Sequence, residues 1–268
     1  MVLSPHILIL AVMMPAGPTA AEVVARMIAH ETEQQAMLRG YTAIRRYVLE
    51  NRKHHKRAEM RVRLTCRDDG SKHFEVVSMD GWNVARRFVF PRLLEAETEA
   101  ARPGVRAQSL INTENYKFQM AGTDHLRGRP AYIIEIEPKI SHEYLIRGRI
   151  WVDADEYAIV RIEGKPAKNP SFWIKSIHFV HDYDKNGPFW FSASDRSVTD
   201  VRFFGPSEMT IEYLDYVTNA ASLSGLGQSA NNSAERMAIT GVGRIKWENQ
   251  PEDVRFDRLA PSEFQLSR

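Results

Sequence analysis

Histidine, cysteine, aspartate and glycine clusters are where this 268-residue chain could carry chemistry. His178 and His181 would make a metal pair on a helix, but their segment alternates like a strand, which turns them to opposite faces. His54 and His55 are adjacent in a loop. His30-Glu31 opens like the zinc-binding helix of a metalloprotease, yet Gln34 stands where the second histidine is needed. Gly225-Leu226-Gly227-Gln228-Ser229-Ala230 has the form of a dinucleotide-binding loop, but no strand precedes it and no βαβ unit surrounds it. The lone Cys66 excludes an intrachain disulfide and a Cys-rich zinc site, and it falls on the apolar face of a strand, where it reads as inert core. Asp153 and Asp155 flank a turn, where carboxylates serve turn geometry. With no Gly-x-Ser-x-Gly either, the expectation is a non-enzyme with no catalytic residue, no metal ligand and no cofactor.

A second chemistry is electrostatic. Arg39, Arg45, Arg46, Arg52, Lys53, Lys56, Arg57, Arg61, Arg63 and Arg67 stand against only Glu50 and Glu59, a local excess of +8. Its densest part, Asn51-Arg52-Lys53-His54-His55-Lys56-Arg57, suggests docking of Arg52, Lys53, Lys56 and Arg57 onto an anionic surface, each cation being worth about 1 kcal/mol there. The competing reading is a solvated face with a charged edge that blocks strand-to-strand aggregation. Nucleic acid is disfavoured: no aromatics interleave with these cations, and 36 basic against 34 acidic residues leave the whole chain at +2.

These residues must be held by elements with two different periods. Residues 22–39 place Val23, Met27, Ala36 and Leu38 among charges at helical spacing, with Gly40 as the stop. Residues 91–101 form the second helical pattern, with Pro91 at its start and Pro103-Gly104 after it. From Tyr41 onward the period drops to two. Ala58, Met60, Val62, Leu64 and Cys66 alternate with charges, as do Phe74 and Val76, and Tyr132, Ile134 and Ile136. Strands at 145–152 and 157–163 flank a polar turn, with Ile146, Ile150, Val152, Ala158, Val160 and Ile162 expected on one face and Arg147, Arg149, Asp153, Arg161 and Glu163 on the other. Further strands are expected at 172–183, 189–193, 197–204 and 208–217. Such spacing implies one curled antiparallel sheet, since parallel strands would need intervening helices.

Several of these stretches resemble the LolA/LolB-type periplasmic lipoprotein carriers. They are the helix ending in Leu38-Arg39-Gly40-Tyr41-Thr42, the basic strand pair, residues 81–95, and Gly128-Arg129-Pro130-Ala131-Tyr132-Ile133-Ile134. The most specific are Arg147-Gly148-Arg149-Ile150-Trp151-Val152-Asp153 with residues 157–164, and Asn169-Pro170-Ser171-Phe172-Trp173 with Ser192-Ala193-Ser194-Asp195-Arg196, which are similar to the outer membrane lipoprotein-sorting branch. The resemblance covers residues 22–217. It implies a mainly antiparallel β fold with α-helices: an incomplete, half-open β-barrel with an N-terminal helix and a helical lid, whose apolar concave face holds acyl chains. The lining expected on that model is Met60, Val62, Leu64, Phe74, Val76, Tyr132, Ile134, Ile136, Ile150, Val152, Val160 and Ile162, with Leu93 and Leu94 on the lid. The implied role is a non-enzymatic carrier or chaperone for an acylated lipoprotein or another amphiphile. The partners would be that cargo and, transiently, the membrane surface or a membrane-bound protein, with the carrier itself a monomer. The alternative of another class is an envelope-stress sensor of the same fold, resembling RseB-type domains.

The chain ends read differently from its middle. An apolar run at 7–14, then Pro15, Gly17 and Pro18 and the small residues Thr19-Ala20-Ala21, suggests a signal peptide over 1–21 and export to the periplasm as a soluble protein, although no Lys or Arg precedes the run. Residues 218–234 are small and polar like a linker, and 237–247 could add one strand within a 218–268 tail. At 43% hydrophobic and 26% charged residues, the chain as a whole has the composition of a globular protein able to bury a sizeable core.

Overall fold

The computed structural model describes residues 17–142, 144–169, 172, 174–202 and 205–220. The expected signal run at 7–14 and the linker and extra strand after 220 lie outside these residues. Helix α1 (Ala20–Met37) is started by a reciprocal cap: the Glu22 amide donates to Thr19 Oγ1 at 3.3 Å and the Thr19 amide donates to the Glu22 carboxylate at 2.8 Å. Its buried stripe is Val23, Val24 and Met27. The helix passes at once into β1 (Leu38–Asn51), so Gly40 is not its stop. Gly40 instead sits within β1 at φ 105°, where a Cβ would lie 2.7 Å from the Cys66 carbonyl oxygen.

β1, β2 (Lys56–Cys66) and β3 (Lys72–Gly81) form consecutive hairpins. A π-helical turn at Ala85–Val89 leads into α2 (Phe90–Ala100) and α3 (Pro103–Ala107), and Pro91 sits in the first turn of α2, where its missing N–H costs nothing. The chain then meanders through β4 (Tyr116–Leu126), β5 (Arg129–Pro138), β6 (Ile146–Asp153), β7 (Ile159–Pro166), β8 (Ile174–Asn186), β9 (Phe189–Val201) and β10 (Gly205–Ala220). β10 returns to pair antiparallel with β1, giving one ten-stranded sheet in the order β3-β2-β1-β10-β9-β8-β7-β6-β5-β4. All its pairings are antiparallel and its ends, β3 and β4, are not joined, so the half-open barrel expected from sequence is what forms. β4 is a strand the sequence reading does not name, and the two strands expected at 189–193 and 197–204 are one, with a register shift where Asp182 and Tyr183 meet Ser194 and Ser192.

The two helices fill the concave face in separate halves. α1 seats Val23, Val24 and Met27 on Ile134, Ile136, Ile150, Val152 and Ile162, while Phe90 and Leu93 of α2 pack on Tyr47, Met60, Val62, Ile211 and Tyr213. Each such side chain removed from water contributes about 1.5–3 kcal/mol, which makes these two clusters the main stabilising contacts of the fold.

Candidate functional site

The site is the interior where those two halves meet. Arg45 of β1 faces inward between Val62 and Tyr213, its register partners on β2 and β10. It is buried, lies 4.6 Å from the Tyr213 ring centroid, and pairs with the buried Glu97 of α2. Tyr47 donates its hydroxyl to the same carboxylate at 2.9 Å. Burial opposes the charge on Arg45, but the Glu97 carboxylate together with Tyr213, Tyr47 and Tyr41 outweighs it and holds the guanidinium protonated. Across the sheet Tyr213 donates to Asp195, which also contacts Nδ1 of the buried His181. His181 Nε2 and Ser192 Oγ are 3.0 Å apart. Burial, then the nearby carboxylates Glu97 and Asp195 respectively, push the Tyr47 and Tyr213 hydroxyls well above their ordinary range.

Ser192, His181 and Asp195 follow the order of a nucleophile, base and carboxylate. Asp195, however, approaches His181 off the N–H direction, leaving Nδ1 without a hydrogen bond, and Asp195 is already engaged by Tyr213. The group therefore reads as part of a buried polar belt. Nor do three His, Cys, Asp or Glu side chains gather as a metal site among the described residues. His178 lies on the outer face 3.4 Å from Glu163 while His181 is inside, the opposed facing that strand alternation requires.

Beside the belt, at the end of the interior near the last turns of α1, is a cavity of about 180 Å³. Its walls include Tyr41, Cys66, Lys72, Tyr183, Ser192 and Tyr216. Burial pushes the Cys66 thiol up, so this cysteine borders a polar cavity in its unreactive form rather than sitting in apolar core. A larger depression of about 750 Å³ lies on the outer face, where Arg147 pairs with Glu137, Arg149 with Glu135 and His178 with Glu163. Each carboxylate there thus already faces an arginine or a histidine.

The residues named from sequence for the apolar lining are dispersed over the concave face. Met60, Val62, Leu64, Ile134, Ile136, Ile150, Val152, Ile162 and Leu93 are buried, and Phe74, Leu94 and Tyr132 are partly buried against the two clusters. None lines the 180 Å³ cavity. Two do not stand where alternation puts them. Val160 belongs to an outer-face cluster with Trp151 and Ala131, because a register shift pairs Val152 with Ile159 and turns Ile159 inward instead. Val76, opposite Val62 on the edge strand β3, is 48% exposed. Asp153, expected on the charged outer face, is buried. It accepts two bonds from Arg129, at 2.6 and 2.9 Å, and one each from the amides of Asp155 and Glu156.

Arg52, Lys53, Lys56 and Arg57 are exposed at the β1–β2 turn. Arg52 pairs with Glu208, and Arg57 with Glu50 and Glu59. β2 lies between β1 and β3, so these cations do not guard a sheet edge. The belt itself escaped the sequence reading, although a signal was present: in the alternation Ala43, Arg45, Tyr47, Leu49 the arginine occupies an inward phase.

No family model matches the chain, and no curated relative matches it. Solved structures do resemble it. An outer membrane lipoprotein-sorting protein domain from Vibrio parahaemolyticus is 12% identical, covering 80% of this chain and 97% of its own, at a TM-score of 0.40. A LolA superfamily protein from Nitrosomonas europaea is 9% identical, covering 77% and 96%, at 0.37. A DUF1329 family protein from Desulfovibrio piger is 12% identical, covering 76% and 94%, at 0.42. At such scores and identities the likeness does not decide function, which rests on this chain's own geometry.

Proposed function

We propose that this protein is a non-enzymatic periplasmic carrier or chaperone, contributing to outer membrane lipoprotein sorting, that takes an acylated protein or another amphiphile onto its concave face. The observation that carries the reading is the cover of that face: two helices, in two separate apolar clusters, lie over a continuous open sheet. α2 and the π-helical turn before it pair with no strand, so they can swing away without unpairing one. Displacing α2 exposes Phe90 and Leu93 at about 1.5–3 kcal/mol each and separates the buried Arg45–Glu97 pair at a further cost of about 3–5 kcal/mol, whereas about fourteen acyl methylenes entering in their place contribute about 11 kcal/mol. The residues that would then meet acyl chains are Met60, Val62 and Phe74, with Leu93 and Leu94 on the moving side, while Ile134, Ile136, Ile150 and Ile162 would be reached only where α1 also gives way. No helix among the described residues is long and apolar enough to cross a membrane.

Displacement of a fluorescent fatty acid, with native mass spectrometry of protein purified from the periplasm, tests this. Copurifying acyl species and saturable displacement are expected. Leu93→Ala loosens the closed form by about 2–5 kcal/mol and should tighten apparent probe binding by about tenfold or more, because it raises the open fraction. A protein that carries no acyl species and competes for none, yet forms a stable complex with a membrane-anchored regulator, would be a sensor.

A further inference from the structure

The 180 Å³ cavity has a composition that an acyl chain does not explain. α1 sends His30, Gln34 and Gln35 into its wall, and Tyr183 enters from β8. His30 Nε2, Gln34 Oε1, Gln35 Oε1 and the Tyr183 hydroxyl are all buried there without a hydrogen-bond partner. Leaving buried polar atoms unpaired is costly, and four around one space mark a place built for polar atoms from outside the chain. Gln35 Nε2 donates to Glu31 at 2.8 Å, which fixes its carbonyl oxygen as the free acceptor.

Cations outnumber carboxylates in this wall, Arg67, Lys72 and Arg106 standing against Glu31, whose carboxyl burial pushes up, and Asp68, which pairs with Arg39. Lys72 runs inward from β3, register partner of Cys66, and has no carboxylate within ion-pairing distance among the described residues. Desolvation, then the charge of Arg45, pushes its ammonium down to about 8; Arg106, also in the wall, adds to the effect, and Glu97 opposes it while committed to Arg45. Phe191 and Tyr216 stack at 4.4 Å, with Tyr41 5.2 Å from Phe191, and close the remaining side with ring faces. At about 30 Å³ per water the space equals about six waters, below the range of drug-sized pockets.

We propose that this cavity is a binding site for a small hydroxylated anion, whose negative group is held by Lys72 and whose hydroxyls donate to the carbonyl oxygens of Gln34 and Gln35. The chemistry is that of glycerol phosphate, whether free or as the headgroup of a lipid. The site belongs to the closed form and does not depend on acyl binding, so each reading can fail while the other stands.

Calorimetric titration of the full chain with glycerol 3-phosphate, beside flotation with phosphatidylglycerol and phosphatidylcholine vesicles, tests it. One saturable site is expected for glycerol 3-phosphate, weakened about tenfold or more in Lys72→Met and restored in part by Lys72→Arg. Gln35→Leu should weaken it less, by about fivefold, with circular dichroism and melting temperature confirming the fold of each variant. Binding to phosphatidylglycerol vesicles alone, lost in Lys72→Met, would identify the headgroup as the source. If neither probe binds, or if both bind Lys72→Met and Gln35→Leu as they bind the parent, the cavity holds water only and the proposal is overturned.

Discussion

Asp153 keeps its charge without solvent because Arg129 and two turn amides all donate to it. Burial raises its pKa, and the bonds from Arg129, Glu156 and Asp155 together outweigh that, leaving the carboxyl below its ordinary value. A carboxyl depressed by folding adds stability that is complete above the unfolded value of about 3.9 and is lost as pH falls through the lower folded value. Asp153→Asn should therefore destabilise the protein at neutral pH and flatten the acid side of its stability curve, read from urea midpoints between pH 7 and 2. Removing one partner of a fully buried pair costs about 3–5 kcal/mol, but the Arg129 side chain is 40% exposed, so about 2 kcal/mol is expected here. An acid limb unchanged in slope would mean that other carboxylates govern it, Glu59 foremost, which bonds from Arg46 hold down to about 2.

At the scale of elements, alternation carried most of the information. It exposes the inward phase of β2 from Ala58 to Leu64 and of β5 at Ile134 and Ile136, because each of these apolar residues is buried beside a charged neighbour that is not. What alternation cannot carry is the extra residue of a bulge: the shift beside Trp151 leaves the composition of β7 unchanged and reverses which of Ile159 and Val160 meets α1. The polar belt was hidden for a different reason. Arg45, His181 and Asp195 sit at inward phases but find partners on Glu97, Ser192 and Tyr213, distant in sequence. A close strand approach is hidden in the same way. Gly148 pairs with Gly164, and a Cβ on Gly148 would stand 2.0 Å from the Glu163 carbonyl oxygen, on backbone that cannot turn aside. Gly148→Ala should force β6 and β7 apart and cost about 1–3 kcal/mol, seen as a lower melting temperature and faster amide exchange along that pair.

For the whole molecule, the +8 excess of residues 39–67 is a property of the chain more than of its surface. Folding brings Asp68, Glu75, Glu208 and Glu212 to Arg39, Arg63, Arg52 and Arg46, and sinks Arg45 onto Glu97. Pairing cancels the far field of these cations, so long-range attraction to an anionic surface is weaker than the sequence suggests. The β1–β2 turn is different, since Arg52, Lys53, Lys56 and Arg57 project together on one exposed hairpin end. If that turn docks the protein on a membrane, reversing all four charges should weaken binding to vesicles of anionic lipid. A cation at such a surface contributes about 1 kcal/mol, and Arg52 and Arg57 already share theirs with glutamates, so less than the sum of four, about 2 kcal/mol or about thirtyfold, is expected. The difference should shrink with added salt, as screening shortens the reach of the remaining charge. Binding that is the same in parent and variant at every salt concentration would leave the turn a solvated hairpin end.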